Sequence, residues 1–316
     1  VPADNQRAFA VFLAMIAAIV APATITLSTV RNAGTLDVPP NPTPHGYTWS
    51  LLLFIVPLVT LAVWFLRHPR YSFQKQSFWR TIGLLVPLGI ALDVLFGNDF
   101  FTFHNSQATV GISFPAVGGP LPVEELVFYM TGFMVTLLSY IWADEYWLSA
   151  YNVPDYQAEA GKIHQALRFH APSVWIGLAL LAAAVTYRKF FSADPNGFPS
   201  YFTYLTLASL IPSAGLFRTV EPFINWRAFA FTFSWIVLVS LLWEATVALP
   251  YGWWGYREDA MIGIFVDAWF GLPLEAVLVW LAVTFATVIL FETVKVWTAS
   301  RRGLRDFLVP RGASAK

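Results

Sequence analysis

Two short stretches hold acidic residues placed to do chemistry. Residues 119–130 read GPLPVEELVFYM and residues 271–280 read GLPLEAVLVW. Each opens a long apolar run on a proline and a glutamate, Pro122/Glu124 and Pro273/Glu275. The first has a second acid, Glu125; the second has Ala276 there. Two more acids, Asp93 and Glu244, stand inside the apolar runs GIALDVLFG and SLLWEATVAL. A carboxyl group beside hydrocarbon is costly unless it has a partner or a use. Carboxylates at a helix start gain about 0.3–1 kcal/mol from the helix dipole, which alone could account for Glu124 and Glu275. It fails for Asp93 and Glu244, which fall towards helix C-termini. For them the plain alternative is a hydrogen bond between helices.

The chemistry open to such acids follows from their surroundings. A carboxyl group in a dry cavity can keep its proton near neutral pH, more so beside a second carboxylate. It can then protonate a base as poor as a carbon–carbon double bond. The resulting carbocation needs electron-rich rings around it and no water, and aromatic faces attract cations by about 0.5–2 kcal/mol. Near the acids of the first half lie Phe103, His104, Asn105 and Tyr129; near those of the second lie Trp253, Trp254, Tyr256, Trp269 and Trp280. Aromatic residues also belt membrane interfaces, so each ring has that ordinary reading as well. His104 and Asn105 could orient the carboxyls or make structural hydrogen bonds.

The elements that must position these groups are membrane helices. Of 316 residues 57% are hydrophobic, 17% aromatic and 12% charged, against about 25% charged in a soluble domain. That is too little charge to cover a water-facing surface. The formal net charge of zero argues against nucleic acid as a partner. The chain has no cysteine, which excludes disulfides, thiolate metal sites and cysteine nucleophiles. No two of its five histidines sit at the i, i+4 spacing of a helical metal site. Neither GxGxxG nor GxxxxGK[ST] occurs, so no nucleotide, flavin or metal cofactor is expected.

A span needs about 20 apolar residues. Eight stretches qualify, at residues 9–30, 49–65, 79–96, 122–142, 172–191, 201–217, 228–249 and 273–297. The first is long for the apolar core of a signal peptide and lacks a basic leader, so it reads as a transmembrane helix. Pro122, Pro172 and Pro273 suit first turns, and Pro57 and Pro212 should kink their spans. The connector at 143–171 could form a short interfacial helix over 155–170, or simply a solvated linker. With both termini on one side, fifteen of the nineteen Lys and Arg fall on that side. The positive-inside rule then puts both termini in the cytoplasm of a cell-membrane protein.

The chain also reads as a duplication. An offset of 151 superimposes Asp93 on Glu244, Pro122 on Pro273 and Glu124 on Glu275, and Gly111-Ile112 falls one residue from Gly263-Ile264. The expected fold is therefore an all-α polytopic membrane bundle: two parallel three-helix repeats plus two extra helices. The repeats take residues 47–147 and 199–298. An extra helix and loop occupy 1–46, a connector and linking helix 148–198, and a basic tail 299–316. The acids of both halves would then converge on one cavity near the outer side.

These residues resemble the membrane-type lycopene cyclases, a cofactor-independent family of heterodimeric or fused subunits. The resemblance lies in an acid late in one helix, an aromatic-rich stretch ending in Gly-Ile, then a Pro-x-Glu motif opening the next. Here that is Asp93, FFTFHNSQATVGI and PVEE, then Glu244, YGWWGYREDAMIGI and PLEA. Ala276 departs from the family, which usually has another acid there. The resemblance implies isomerising ring closure: a carboxylic acid protonates the terminal double bond of a linear carotene, the next double bond attacks the cation, and a base removes a proton. It implies Glu124 and Glu275 as acid and base in either order, with Glu125, Asp93 and Glu244 as tuning or alternate groups. It also implies a lipophilic polyene drawn from the bilayer, with membrane lipids, a second copy or other pathway enzymes as partners. The other readings are cyclisation of a different polyprenoid, a secondary transporter, and a non-catalytic membrane partner.

Overall fold

The computed structural model describes residues 44–69, 74–153, 160–163 and 165–309, with residues 10, 13, 14, 17, 21 and 25. The span expected over 9–30 thus lies largely outside the described residues. The rest is mostly helical. Six described helices are long and apolar enough to cross a membrane: α1 Gly46–Arg67, α2 Lys75–Phe100, α3 Val123–Trp147, α4 Ala171–Phe190, α6 Trp226–Ala248 and α7 Glu275–Ser300. Between α4 and α6 the expected sixth span is a shorter helix, α5 Ser200–Pro212, continued by a π-helical turn at Ser213–Phe217. Pro57 sits inside a continuous helix. Pro212, at the end of α5, is where the hydrogen-bond pattern changes.

The polarity of the molecule is inverted relative to a water-soluble protein. Its exposed residues include Trp175, Ile176, Phe190 and Phe191 on and after α4, and Val56, Val59 and Leu66 on α1. Its buried residues include Asp93, Glu124, Glu125, Asp144, Glu244, Glu275, Glu292 and Lys295. Apolar surface outside and polar groups inside are what a hydrocarbon solvent selects, since each polar group must then be satisfied internally.

At the centre, α3 packs on α1, α2, α6 and α7, and α7 packs on α2, α3, α5 and α6. Aromatic rings fill the contact: Phe54 of α1 stacks on Trp280 of α7 at 5.6 Å and meets Trp243 of α6 edge-on at 5.4 Å. Gly46 opens α1 hard against a loop ring, and a Cβ there would lie 2.5 Å from Trp253. Gly46→Ala is expected to displace that indole and cost about 1–3 kcal/mol, read as a lowered unfolding midpoint in detergent.

Six short strands among the described residues carry the loops that follow α2 and α6. Strands β2 (Ser113–Phe114) and β3 (Leu121–Pro122) pair antiparallel just before α3. Strands β5 (Phe265–Val266) and β6 (Leu272–Pro273) do the same just before α7. The two loops are tied together by β1 (Phe101–Thr102) and β4 (Gly255–Tyr256), with Phe101 opposite Tyr256.

The described part of the expected surface helix over 155–170 is one helical turn at 160–162, and residues 165–170 are not helical. The reason is a better set of partners. Arg168 and His170 donate their backbone N–H groups to Gly215 and Ala214. Those carbonyls belong to the π-helical turn after α5. Residues 168 and 170 of the connector thus seal that turn.

Candidate active site

The Pro-x-Glu and Gly-Ile motifs meet in space, and the geometry explains both. Glu124 accepts the backbone N–H of Val110 at 2.8 Å and the hydroxyl of Thr48 at 2.5 Å. Glu275 accepts the backbone N–H of Ile262 at 2.6 Å. The residue after each donor is a glycine with positive φ, Gly111 at 78° and Gly263 at 92°. Only glycine adopts that conformation freely, and it turns the loop so that the preceding N–H faces the carboxylate. One residue on, Ile112 and Ile264 accept the N–H groups of Val123 and Leu274. Each glutamate thus pins its own hairpin to the start of its own helix.

That placement differs from the expected one. Neither Glu124 nor Glu275 lines the central cavity; Glu125 and Glu244 do. The physical reason is helical phase. Glu125 is one step, about 100°, round α3 from Glu124, so one acid faces the hairpin and its neighbour faces the interior. In α7 the corresponding neighbour is the fully buried Ala276, which leaves the second wall to Glu244 of α6. Asp93 stands behind the wall: Tyr129, which lines the cavity, donates to it at 3.3 Å.

The cavity together with its open mouth spans about 670 Å³. Of the expected aromatic residues, Phe103, Tyr129, Trp254, Tyr256 and Trp280 line it. Trp253 instead packs on Gly46, and Trp269 does not line the cavity. His104 is exposed, and Asn105 accepts the N–H of Gln107 as a loop cap; neither orients a cavity carboxyl. Tyr47, Phe128, Tyr201 and Trp243 also line the cavity and were not expected. Phe128 was within reach of the sequence, because Glu125, Phe128, Tyr129, Gly132 and Phe133 recur at helical spacing. Tyr47 and Tyr201 lie on other helices, and no local signal places them here.

Each cavity glutamate has a tyrosine partner. Tyr47 donates to one oxygen of Glu125, its one hydrogen bond among the described residues. Glu244 accepts on both oxygens, from Ser240 at 2.6 Å and from Tyr256 at 2.7 Å. Trp280 in turn donates to Ser240, so an indole, a hydroxyl and a phenol hold one carboxylate. Burial pushes the Tyr256 hydroxyl well above its usual range, and Glu244 beside it adds to the effect. Tyr256 therefore remains a donor. Glu244 opens a π-helical turn, Glu244–Ala248. Such turns in membrane-length helices are frequent at functional sites because they re-aim side chains.

The chemistry on offer is proton transfer inside an aromatic chamber. Glu125 has an oxygen left to carry a proton, while both oxygens of Glu244 accept from donors. Gly132 lines the cavity, and a Cβ there would meet Trp280 at 3.7 Å. Gly132→Leu is expected to occupy the chamber at a stability cost of about 1–3 kcal/mol and to lower any turnover there, measured against wild type at equal level of folded protein. No family model, curated protein or solved structure matches this chain.

Proposed function

We propose that this chain is a cofactor-independent polyene cyclase of the membrane-type lycopene cyclase kind. One observation carries the reading: an aromatic cavity among membrane-length helices presents two tyrosine-bonded glutamates, Glu125 and Glu244, from different parts of the chain. Glu125 gives its proton to the terminal double bond of a linear polyene. The adjacent double bond attacks the cation and closes a six-membered ring. Glu244 takes the proton from a neighbouring ring carbon, which restores a double bond. Atoms and electrons balance without oxidant or reductant, and the product is an isomer of the substrate. The rings of Tyr129, Trp254 and Trp280 face the cationic stage, where aromatic faces favour positive charge by about 0.5–2 kcal/mol.

The same reading takes the chain as two three-helix repeats. Support comes from the hairpin, the positive-φ glycine and the pinning glutamate, each present once before α3 and once before α7. It also keeps both termini on the cytoplasmic side, on the strength of the Lys and Arg bias. The substrate enters from the bilayer.

The test is incubation of purified protein in lipid with lycopene in heavy water, without added cofactor. Product is expected to carry one deuterium for each ring closed. Unchanged lycopene, with the protein still folded, would sink the cyclase reading. Movement of a solute across the vesicle wall without ring formation would favour a transporter.

A further inference from the structure

Below the cavity, α3, α6 and α7 run on to a second buried polar cluster that the proposed reaction leaves unused. Tyr140 donates to Glu292 at 2.9 Å. Lys295 Nζ lies 3.2 Å from Glu292 and 3.7 Å from Asp144. Asn225 donates to Asp144 at 2.9 Å. Glu145, half-buried, follows Asp144 at the end of α3.

The same helix faces reach from cavity to cluster. On α3 the face runs through Glu125, Gly132, Thr136, Ser139 and Tyr140. On α7 it runs through Trp280, Thr284, Thr287, Phe291 and Lys295. On α6 it runs back from Trp243 through Ser240, Ile236 and Thr232 to Asn225. Steps of three, four or seven residues, with Ser139 and Tyr140 both one turn on from Thr136, keep each set on one side of its helix. The three helices pack against one another in every pairing, so these faces share one seam.

Five hydroxyls on that seam lack a hydrogen bond among the described residues: Thr136, Ser139, Thr232, Thr284 and Thr287. All five are buried. Elsewhere the helices of this chain satisfy such groups locally. Thr81, Thr131, Thr203 and Thr293 each donate to the carbonyl four residues back, at 2.7–2.9 Å. The seam hydroxyls forgo that bond. A buried hydroxyl left unsatisfied costs about 1–3 kcal/mol, and buried polar groups without a protein partner are normally met by water.

We infer that the seam holds a chain of water molecules joining these hydroxyls, and that it is a proton path between the Asp144–Glu292–Lys295 cluster and the cavity carboxyls. The spacing fits. Thr136 to Ser139, and Thr284 to Thr287, are three residues apart, a rise of about 4.5 Å. The hydroxyls of each pair make no direct bond with one another, and a step of one turn suits a single bridging water. From Glu125 to Asp144 the helix rises about 28 Å, close to the thickness of a bilayer's hydrocarbon core. The path rests on the cyclase reading for its purpose. After each ring closes, Glu244 holds a proton and Glu125 lacks one, and exchange with the far side resets both.

Radiolytic hydroxyl-radical footprinting, read by mass spectrometry without polyene, tests the water chain directly. Label is expected on Tyr140 and Phe291, which flank the seam. The T136V/T284V/T287V variant is expected to lower that label by about tenfold, and the corresponding Thr→Ser variant to restore it, since only the hydroxyl differs in water binding. Absence of label on both rings in the wild type, as in a dry core, overturns the proposal. So does label that the Val variant leaves unchanged. The proton role is read separately. With lycopene, the Val variant is expected to close a first ring at the wild-type rate and then turn over about tenfold slower; an unchanged steady rate overturns that role. Because footprinting needs no substrate, a wet seam in a protein that leaves lycopene untouched would refute the cyclase reading and not the water chain.

Discussion

Glu125→Gln is expected to remove ring formation almost entirely, by about 10²–10⁴-fold, with the protein still folded and inserted. The amide keeps the shape of the carboxyl and can still meet the Tyr47 hydroxyl, which now donates to Glu125. It has no acidic proton to give to a double bond. Glu244→Gln is expected to fall in the same range for a different reason. Its amide can accept on one atom only, so one of the bonds from Ser240 and Tyr256 must reverse, with the amide N–H donating to the hydroxyl, and no base remains to collect the proton. Glu124→Gln and Glu275→Gln should behave otherwise. Each keeps an oxygen that can accept the N–H of Val110 or Ile262, so much of the activity should survive. Lycopene and its cyclised products, separated by chromatography from a lycopene-accumulating host, decide the matter. Loss of product in Glu124→Gln with full activity in Glu125→Gln would reverse the assignment.

The second large effect concerns stability. Lys295→Met is expected to destabilise the protein by about 3–5 kcal/mol, the cost of breaking a buried ion pair by removing one member. Lys295 is 1% exposed, and its ammonium lies between two carboxylates, Glu292 and Asp144. Without it, two buried acids face each other, Glu292 accepting from Tyr140 and Asp144 from Asn225. Adding Asp144→Asn and Glu292→Gln to Lys295→Met is expected to recover most of the loss, because the desolvated charges leave together. Equilibrium unfolding in mixed micelles measures both. A Lys295→Met protein as stable as wild type would show that the ammonium contributes nothing to the bundle.

The spans were legible because hydropathy is a sum over many residues and tolerates local errors. Seven of the eight expected stretches fall on described helices, six of them of full membrane length. The first lies largely outside the described residues. The motifs were legible as motifs: an acid after a proline, and a glycine before an isoleucine, stood out in both halves. Their job was not. Sequence spacing suited both a catalytic glutamate and a glutamate that holds a loop, and what separates them is which atoms arrive opposite the carboxylate. Val110 and Ile262 supply those atoms, and each lies fourteen or thirteen residues from its acid.

By itself, the sequence determined that the chain folds among hydrocarbon, where its long helices lie, and that two related stretches place acids at corresponding points. Hydropathy, proline and glycine act locally, so local reading suffices for them. Tertiary structure alone decided which acids look into the cavity. On α3 a single 100° step separates the glutamate that pins the hairpin from the one that faces the interior. On α7 that next position is Ala276, so the second carboxyl comes from α6. The unlike residues after Glu124 and Glu275 thus mark where the two halves part. One half gives Glu125 to the cavity and the other gives Glu244, because only the packing of α3 against α6 and α7 brings those two faces together.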